Sequence, residues 1–297
     1  MTVGRFAPSP SGRMHLGNIF TALLAWLSVR SQNGKMILRI EDLDPDRSKK
    51  EYIDAIYEDL HWLGLDWDEE MPYQSSRDDI YLQYLQKLST YPCFCSRNEL
   101  HSASAPHASD GRMIYAGTCR NVTQKERAAL TKKPSWRVRV PNETIEFTDG
   151  VFGKMKENMA SEWGDFIVRR ADGVYAYQLA VVCDDALGGV TEVVRGCDLL
   201  GASVPQIWLY RQFGFAVPRF YHVPLLVAPD GRRLSKREKS LDVSSLMERH
   251  SAEEIIGRLA YLSGLIPENT AISAEDLLPN FSWDKISRKS IIINEDF

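Results

Sequence analysis

The segment PSPSGRMHLGN, residues 8–18, joins a strand-like run at residues 3–7 to an apolar, helix-compatible stretch at residues 19–29. A glycine-containing turn that leads into a helix N-terminus presents backbone N–H groups and the positive end of the helix dipole to an anion. His15 would donate a hydrogen bond to a phosphoryl oxygen as charge builds there, and Gly17 would let a purine ring approach the backbone. The alternative is a plain strand-to-helix turn in which the histidine caps the helix or packs.

The pattern around this turn is that of an α/β protein. Residues 35–40 alternate like a strand and residues 48–63 carry apolar side chains at helical spacing, so strand, helix, strand and helix follow one another. This order predicts a parallel sheet. A middle region has a helical stretch at residues 78–90 and segments of β type at residues 135–140, 144–149 and 165–170. The third region is predicted to hold strands at residues 189–195 and 220–227 and helices at residues 203–213 and 244–265.

A second segment, RRLSKR at residues 232–237, is a basic loop that follows a predicted strand and a turn at residues 229–231. Such a loop can hold a polyphosphate and neutralise its charge while the α-phosphorus is displaced. Lys236 is the residue that we expect to act as the point-charge ligand. Taken alone, the segment would be read as a solvated basic loop.

Together the two segments resemble the signature motifs of the class I aminoacyl-tRNA synthetases. The HIGH motif of that family matches residues 15–18, and its KMSKS motif matches residues 233–237. Four further strings are similar to the glutamyl branch: RFAPSPSG at 5–12, LRIEDLD at 38–44, YQLAVVCDD at 177–185 and VVRG at 193–196. Asn18 and Arg233 depart from the usual motif residues, but they keep a hydrogen-bonding group and a phosphate ligand.

The resemblance, which covers about residues 1–240, implies an α/β fold with a Rossmann-like parallel sheet. An inserted α+β zinc-containing module would split that sheet, and a short C-terminal helical region would follow it. The catalytic domain would comprise residues 1–73 and 173–240, the inserted acceptor-type module residues 74–172, and the stem-contact-like region residues 241–297. About 60 residues follow Arg237, which is too few for the large helical anticodon-binding domain of ordinary glutamyl-tRNA synthetases, so none is expected.

The resemblance also implies where the substrates bind. ATP would contact Pro8, Ser9, Pro10, His15, Gly17, Asn18, Arg233, Leu234, Ser235, Lys236 and Arg237, with His15 and Lys236 as the catalytic pair. Glutamate would contact Arg5, Ala7, Ser9, Glu41, Tyr177 and Arg195.

Elementary chemistry agrees with the glutamate pocket. Arg5 and Arg195 could each contact a carboxylate through two hydrogen bonds. By the resemblance, Glu41 would hold the substrate ammonium and Tyr177 would add a hydroxyl. The alternatives are a salt bridge between Glu41 and a neighbouring arginine (Arg39 or Arg47) and a core position for Tyr177 on a strand.

Three of the five cysteines, Cys93, Cys95 and Cys119, lie within 27 residues. They suit a tetrahedral zinc site that still needs one ligand. The local candidates for that ligand are His101, His107 and Tyr115. The spacing Tyr-x-x-x-Cys is similar to the zinc-binding pattern of the glutamyl-queuosine synthetases, in which a tyrosine completes the shell, and it favours Tyr115. Zinc would then staple the inserted module; the alternative is three reduced structural thiols.

The composition fits a folded cytoplasmic protein. With 44% hydrophobic and 26% charged residues, the chain of 297 residues is not dominated by disorder. Its net charge of −4 means that an RNA partner must be bound by a local basic patch. The odd number and uneven spacing of the cysteines argue against a disulfide framework. The sequence has no run of 18 apolar residues, so no membrane span is predicted. The first residues lack the order of a secretory signal. A monomer is expected.

By the resemblance, the enzyme would use ATP and Mg²⁺ to convert glutamate to glutamyl-adenylate, without tRNA. It would then transfer glutamate to queuosine at the wobble position of tRNA(Asp). Length and the cysteine–tyrosine pattern favour this reaction over the charging of tRNA(Glu) by a glutamyl-tRNA synthetase core. Two other possibilities are a catalytically silent, zinc-containing tRNA-binding module and a small-molecule nucleotidyltransferase of the same superfamily.

Overall fold

A parallel sheet lies at the centre of the computed structural model, which describes residues 1–96, 114–232, 234 and 242–294. Its first strands, β1 (Val3–Phe6), β2 (Lys35–Leu38) and β3 (Glu69–Glu70), pair in parallel in that order. Helices α1 (Leu16–Arg30) and α2 (Lys50–Trp62) make the two crossovers. The predicted strand–helix–strand–helix order is therefore confirmed.

Helix α1 is the central helix of the core. Leu16, Ile19, Leu23 and Leu27 are fully buried on it, and each contributes roughly 1.5–3 kcal/mol through the apolar surface that it removes from water. Because most of this helix is apolar, it packs on the sheet with one face and on other core residues with the rest.

Two further parallel strands extend the layer on the other side of β1. They are β9 (Glu192–Gly196) and β10 (Arg219–Val223). The N–H of Thr191, just before β9, donates to the carbonyl of Val3 in β1 at 2.9 Å. The carboxyl ends of β1, β2, β9 and β10 therefore meet at one edge, the position where open α/β sheets bind ligands.

The middle region carries antiparallel strands. After α3 (Asp78–Leu85), β4 (Thr90–Cys93) pairs with β5 (Ser135–Val138), which pairs with β8 (Ile167–Arg169); β6 (Thr144–Asp149) forms a hairpin with β7 (Gly153–Asn158). A short helix, α4 (Gln124–Ala128), precedes β5. The predicted segment at 144–149 is confirmed with the same bounds, and those at 135–140 and 165–170 are confirmed with shorter bounds. Strand β7 and the π-helical turn at Met159–Trp163 were not predicted.

The third region alternates helices and strands around the same core. Helix α5 (Tyr177–Leu187) precedes β9, and α6 (Ser203–Phe213) connects β9 to β10. Tyr177 is the first residue of α5, so its alternative placement on a strand is wrong. Pro224, which has no N–H, interrupts the predicted strand at residues 220–227, and the chain resumes pairing in β11 (Leu226–Val227).

The C-terminal region returns to the sheet. Helices α7 (Val243–Met247), α8 (Ala252–Leu262) and α9 (Ala274–Leu277) precede β12 (Ile291–Ile292), which pairs in parallel with β11. The pattern of the last twenty residues is weak, yet Ile291 donates its N–H to the carbonyl of Leu225 at 2.9 Å. None of the helices in the described ranges is long and apolar enough to cross a membrane.

A buried charge cluster joins the start of the middle region to α5. Asp184, fully buried on α5, accepts hydrogen bonds from Arg77 Nε at 2.8 Å, Gln74 Nε2 at 2.7 Å and the hydroxyl of Tyr81 at 2.9 Å. Removing such an acid from water is costly unless it is paired and hydrogen-bonded, and these donors supply that compensation. Residues just after position 73 therefore pack on α5, while the predicted domain bounds stay a prediction.

Candidate active site

A cavity of about 490 Å³ opens at the carboxyl edge of the parallel strands. The segment after β1, the start of α1, the end of β9 and the turn after β10 all contribute to its wall. Of the predicted site residues, it is lined by Arg5, Ala7, Pro8, Ser9, His15, Gly17, Asn18, Glu41, Tyr177, Arg195 and Leu234. Pro10 is buried beside it and is not part of the lining. Arg233, Ser235, Lys236 and Arg237 lie outside the described residues.

His15 caps helix α1. Its ring Nδ1 accepts the backbone N–H of Gly17 at 3.1 Å, and the backbone N–H of His15 donates to Oδ1 of Asn18 at 3.1 Å. A Cβ at Gly17 would lie 3.1 Å from Cε1 of His15, so the glycine also leaves room for the capping ring. Helix capping, the alternative interpretation of His15, is therefore present at the mouth of the cavity and is compatible with contact to an anion.

Arg5 belongs to a buried network of charged side chains. Its Nε lies 3.4 Å from Asp185 Oδ1, and its Nη1 donates to the carbonyl of Val194 at 3.2 Å. Arg39, fully buried, bonds Asp185 as well and donates to Glu41 Oε1 at 2.9 Å. Burial opposes the ionisation of Asp185, but Arg39 and Arg5 outweigh it and hold the pKa of that carboxyl below its usual value.

Glu41 both pairs with Arg39 and reaches the cavity. The predicted salt bridge to Arg39 is therefore present, but it does not remove Glu41 from the lining. Burial raises the pKa of Glu41, and the charge of Arg39 offsets this only in part. A second cation, such as a substrate ammonium, would compensate the carboxylate further.

Arg195 is held by neutral acceptors. Its Nε donates to Nε2 of His222 at 3.0 Å, and its Nη2 donates to Ser203 Oγ at 2.9 Å. Its Nη1 donates to Gln206 Oε1 at 2.8 Å and, more weakly, to the hydroxyl of Tyr177 at 3.4 Å. Because none of these acceptors is a carboxylate, they do not neutralise the positive charge of the guanidinium, which can pair with an anionic ligand.

Sequence reasoning missed the residues that hold these arginines. Asp185 lies in the string YQLAVVCDD without a sign of its role, and Asp149 and His222 lie in none of the motifs. Nothing local marks them, because their partners lie between 27 and 180 residues away along the chain.

The predicted metal ligands come together at the end of β4, in the two residues after it and in the segment at residues 114–119. The sulfur atoms of Cys93, Cys95 and Cys119 lie within 4.8 Å of one another, with Cys95 and Cys119 at 3.6 Å. The hydroxyl oxygen of Tyr115 lies 3.5 Å from Cys93 Sγ and 3.9 Å from Cys95 Sγ. In a tetrahedral zinc site, metal–ligand distances of about 2.3 Å for sulfur and about 2.0 Å for oxygen require about 3.8 Å between sulfurs and about 3.5 Å from sulfur to oxygen. The Cys95–Cys119 distance and the two distances from the Tyr115 oxygen lie close to these spacings.

Burial, together with the hydrogen bond to Cys93, raises the pKa of Tyr115, but two neighbours act in the opposite direction. The backbone N–H of Cys119 donates to its oxygen at 2.7 Å, and the guanidinium of Arg137 lies 3.8 Å from the ring centroid. An N–H donor and a nearby cation both favour negative charge on that oxygen. His101 and His107, the other candidate ligands, lie outside the described residues.

Comparison with known proteins places the chain in a family. The family described as "tRNA synthetases class I (E and Q), catalytic domain" matches residues 1–295. The glutamyl-Q tRNA(Asp) synthetase of Symbiobacterium thermophilum is 47% identical across 99% of this chain and 96% of its own length. The chain belongs to the glutamyl-Q tRNA(Asp) synthetases of the class I family.

Two further proteins agree with the class I family and its fold. The glutamate–tRNA ligase of Sulfurihydrogenibium sp. is 39% identical over 98% of this chain, which spans 64% of that enzyme. The glutamate-tRNA synthetase structure from Elizabethkingia anophelis superimposes with a TM-score of 0.83 at 26% identity, over 99% of this chain and 68% of that one. The class I synthetase fold and its mixed α/β content, predicted from the sequence, are thereby confirmed.

Proposed function

We propose that this enzyme activates glutamate with ATP, without tRNA, and transfers the glutamyl group to queuosine at the wobble position of tRNA(Asp). The observation that carries the proposal is the composition of one cavity: a capped helix N-terminus that suits phosphate lies beside two arginines and a glutamate that suit an acidic amino acid. The tRNA(Asp) in the name of relatives such as the Symbiobacterium protein supports the choice of RNA.

The first step is adenylation. An oxygen of the glutamate α-carboxylate attacks the α-phosphorus of ATP, the bond to the bridging oxygen breaks, and pyrophosphate leaves. His15 and Lys236 stabilise charge on the phosphoryl oxygens. Arg5 and Arg195 contact carboxylate groups, while Glu41 holds the ammonium. Motif residues Pro8, Ser9, Pro10, Gly17, Asn18, Arg233, Leu234, Ser235 and Arg237 complete the proposed ATP site.

Mg²⁺ would accompany the phosphates. Within the described residues, the cysteine cluster is the only group of three or more potential metal-ligating His, Cys, Asp or Glu side chains, so the cavity wall offers no carboxylate cage there. This fits a magnesium ion bound mainly through substrate phosphates, where it would supply charge neutralisation.

The second step is acyl transfer. A hydroxyl of the queuosine cyclopentenediol attacks the activated carbonyl, and AMP leaves as the ester forms. Each thiol is dispensable for this chemistry, because neither step needs a covalent enzyme intermediate.

We further propose that one zinc ion is bound by Cys93, Cys95, Tyr115 and Cys119. The ion would cross-link two segments of the middle region. The spacing of the three sulfurs and the Tyr115 oxygen supports this role, and all four ligand positions are occupied by protein atoms, as in structural sites. Metal analysis of the purified protein should give about one zinc per chain, and Cys119→Ser should lose it. Reduced wild-type protein without zinc would contradict the site.

The domain assignment remains part of this proposal. Residues 1–73 and 173–240 would form the catalytic domain, residues 74–172 the inserted acceptor-type module and residues 241–297 a short stem-contact-like region. The change from parallel strands in the first part to antiparallel strands in the second supports it. The monomeric state and cytoplasmic location remain predictions.

Transfer of labelled glutamate tests the function directly. The protein is incubated with ATP, Mg²⁺ and tRNA(Asp) that either carries or lacks queuosine, with tRNA(Glu) in parallel. We expect label only on the queuosine-containing tRNA(Asp). Charging of tRNA(Glu) would contradict the proposal, and absence of glutamate-dependent pyrophosphate exchange would refute activation itself.

A further inference from the structure

A buried pair, His222 on β10 and Asp149 at the end of β6, lies directly behind Arg195. Both side chains are fully buried, and Nδ1 of His222 lies 2.6 Å from Oδ2 of Asp149. On its other side, Nε2 of His222 accepts from Arg195 Nε at 3.0 Å. The chain Asp149–His222–Arg195 therefore runs from the hairpin of the middle region into the cavity.

The hydrogen-bond pattern assigns the tautomer of His222. A guanidinium can only donate, so Nε2 must be the acceptor, and a carboxylate accepts, so the proton is on Nδ1. Burial, which the hydrogen bond to Asp149 offsets only in part, lowers the pKa of His222 and favours this neutral form. A protonated ring would place an N–H against the N–H of Arg195.

We propose that His222 and Asp149 are positioning residues that fix the Arg195 guanidinium for the carboxylate of the substrate. This inference rests on the proposed function only in taking glutamate as the ligand of Arg195. Of the five N–H donors of a guanidinium, four have protein acceptors in the described part of the chain: His222, Ser203, Gln206 and Tyr177. The short bonds to His222, Ser203 and Gln206 fix the plane of the guanidinium. They thereby set the direction of the remaining Nη2 donor and of the Nη1 donor that makes only the long contact to Tyr177.

Asp149 sets the tautomer and also closes its own hairpin. Its Oδ1 accepts the N–H groups of Val151 at 3.0 Å and Phe152 at 2.8 Å, at the turn between β6 and β7. Asp149→Asn keeps an oxygen for that turn but turns an NH₂ group toward His222. Nδ1 must then accept, the proton moves to Nε2, and Arg195 loses its acceptor.

His222→Gln provides the matching rescue. A glutamine oxygen can occupy the position of Nε2 and accept from Arg195 whatever residue stands at 149. If Asp149 acts through the tautomer, Asp149→Asn combined with His222→Gln should bind glutamate better than Asp149→Asn alone. If Asp149 serves only its turn, the second substitution will not rescue the first.

Calorimetric titration with glutamate tests the inference without requiring turnover, and titration with ATP reports on the neighbouring subsite. We expect Asp149→Asn to raise the Kd for glutamate roughly 10- to 100-fold, the range for loss of a hydrogen bond to a charged group, with the Kd for ATP within about twofold of wild type. The double variant should recover most of the loss. Glu146→Gln, an exposed charge removal on the same strand, is the control and should change neither Kd.

The outcomes separate the two proposals. An unchanged glutamate Kd in Asp149→Asn, or a loss that His222→Gln does not relieve, overturns the positioning role alone. Wild-type protein that binds glutamate but catalyses no pyrophosphate exchange refutes the proposed function and leaves the binding comparison decisive. Wild-type protein that binds no glutamate overturns both.

Discussion

The backbone N–H of Gly17 donates to Nδ1 of His15 across 3.1 Å, and this bond decides which ring nitrogen of His15 can donate. With Nδ1 as acceptor, the proton of the neutral imidazole is on Nε2. The residue therefore caps α1 with one nitrogen and has its donor on the other. The two roles can be separated by substitution.

His15→Asn should keep the cap and lose the catalytic contact. The asparagine oxygen can accept from the helix N–H groups, and asparagine is a preferred N-cap, but nothing replaces Nε2–H. We expect the melting temperature to stay close to that of wild type, while glutamate-dependent pyrophosphate exchange falls about 10²- to 10³-fold, as for other donors to transition-state charge. His15→Ala, which removes both groups, should in addition lose about 1 kcal/mol of stability. A wild-type exchange rate in His15→Asn would show that the histidine only caps.

Tyr115→Phe should weaken zinc binding while leaving the three thiolates in place. Loss of even an outer-shell partner commonly costs 10- to 100-fold in metal affinity, so removal of a direct ligand should cost at least about tenfold in competition with a chelator. Tyr91→Phe is the control, because Tyr91 is buried in the same cluster but its hydroxyl donates to Asp165 at 2.6 Å. Equal zinc affinity in the two variants would exclude Tyr115 as a ligand.

The parts of the site that could be predicted from the sequence are those whose residues are close together along the chain. His15, Gly17 and Asn18 sit within one turn, and the switch from strand to helix around them could be predicted from periodicity. The helix at Tyr177 was harder, because a short apolar run such as YQLAVVC fits a buried strand or a buried helix equally well.

The groups that orient the site could not be predicted from the chain. Arg39 meets Asp185 across 146 residues, and His222 meets Asp149 across 73. Such contacts are created by the packing of strands and helices, and no spacing in the sequence encodes them. Strand β7 was missed because its Lys and Glu side chains give it little apolar alternation, and only its pairing with β6 reveals it.

Burial should separate two ion pairs of nearly equal length. Arg77 and Asp184 lie 2.8 Å apart with side-chain exposures of 10% and 0%, whereas Lys156 and Glu146 lie 2.7 Å apart with exposures of 69% and 64%. Arg77→Met removes the nearer cation of Asp184 and leaves only Arg39, whose Nε lies 4.0 Å from Oδ2. It should lower the free energy of unfolding by about 3 kcal/mol, the lower end for breaking a buried pair. Lys156→Met should leave the urea midpoint unchanged, since exposed pairs contribute little. Similar losses in both variants would show that burial is not what matters at Asp184.

Asp59 on α2 should make the protein less stable as the pH rises from about 4 to about 6. The carboxyl is buried, Arg13 Nη2 donates to its Oδ1 at 3.0 Å, and its Oδ2 has no hydrogen-bond partner among the described residues. Burial, only partly offset by Arg13, raises the pKa of Asp59 to about 6. The folded state therefore binds a proton that the unfolded state, with a pKa near 3.8, has already released, and the stability from that proton is lost across this interval.

Asp59→Asn should be more stable than wild type at pH 7.5 by roughly 1–3 kcal/mol, with a difference that shrinks toward pH 4 in urea titrations. Asp54→Asn, an exposed acid on the same helix, is the control and should show no such trend. A pH-independent gain in Asp59→Asn would mean that Asp59 is ionised throughout.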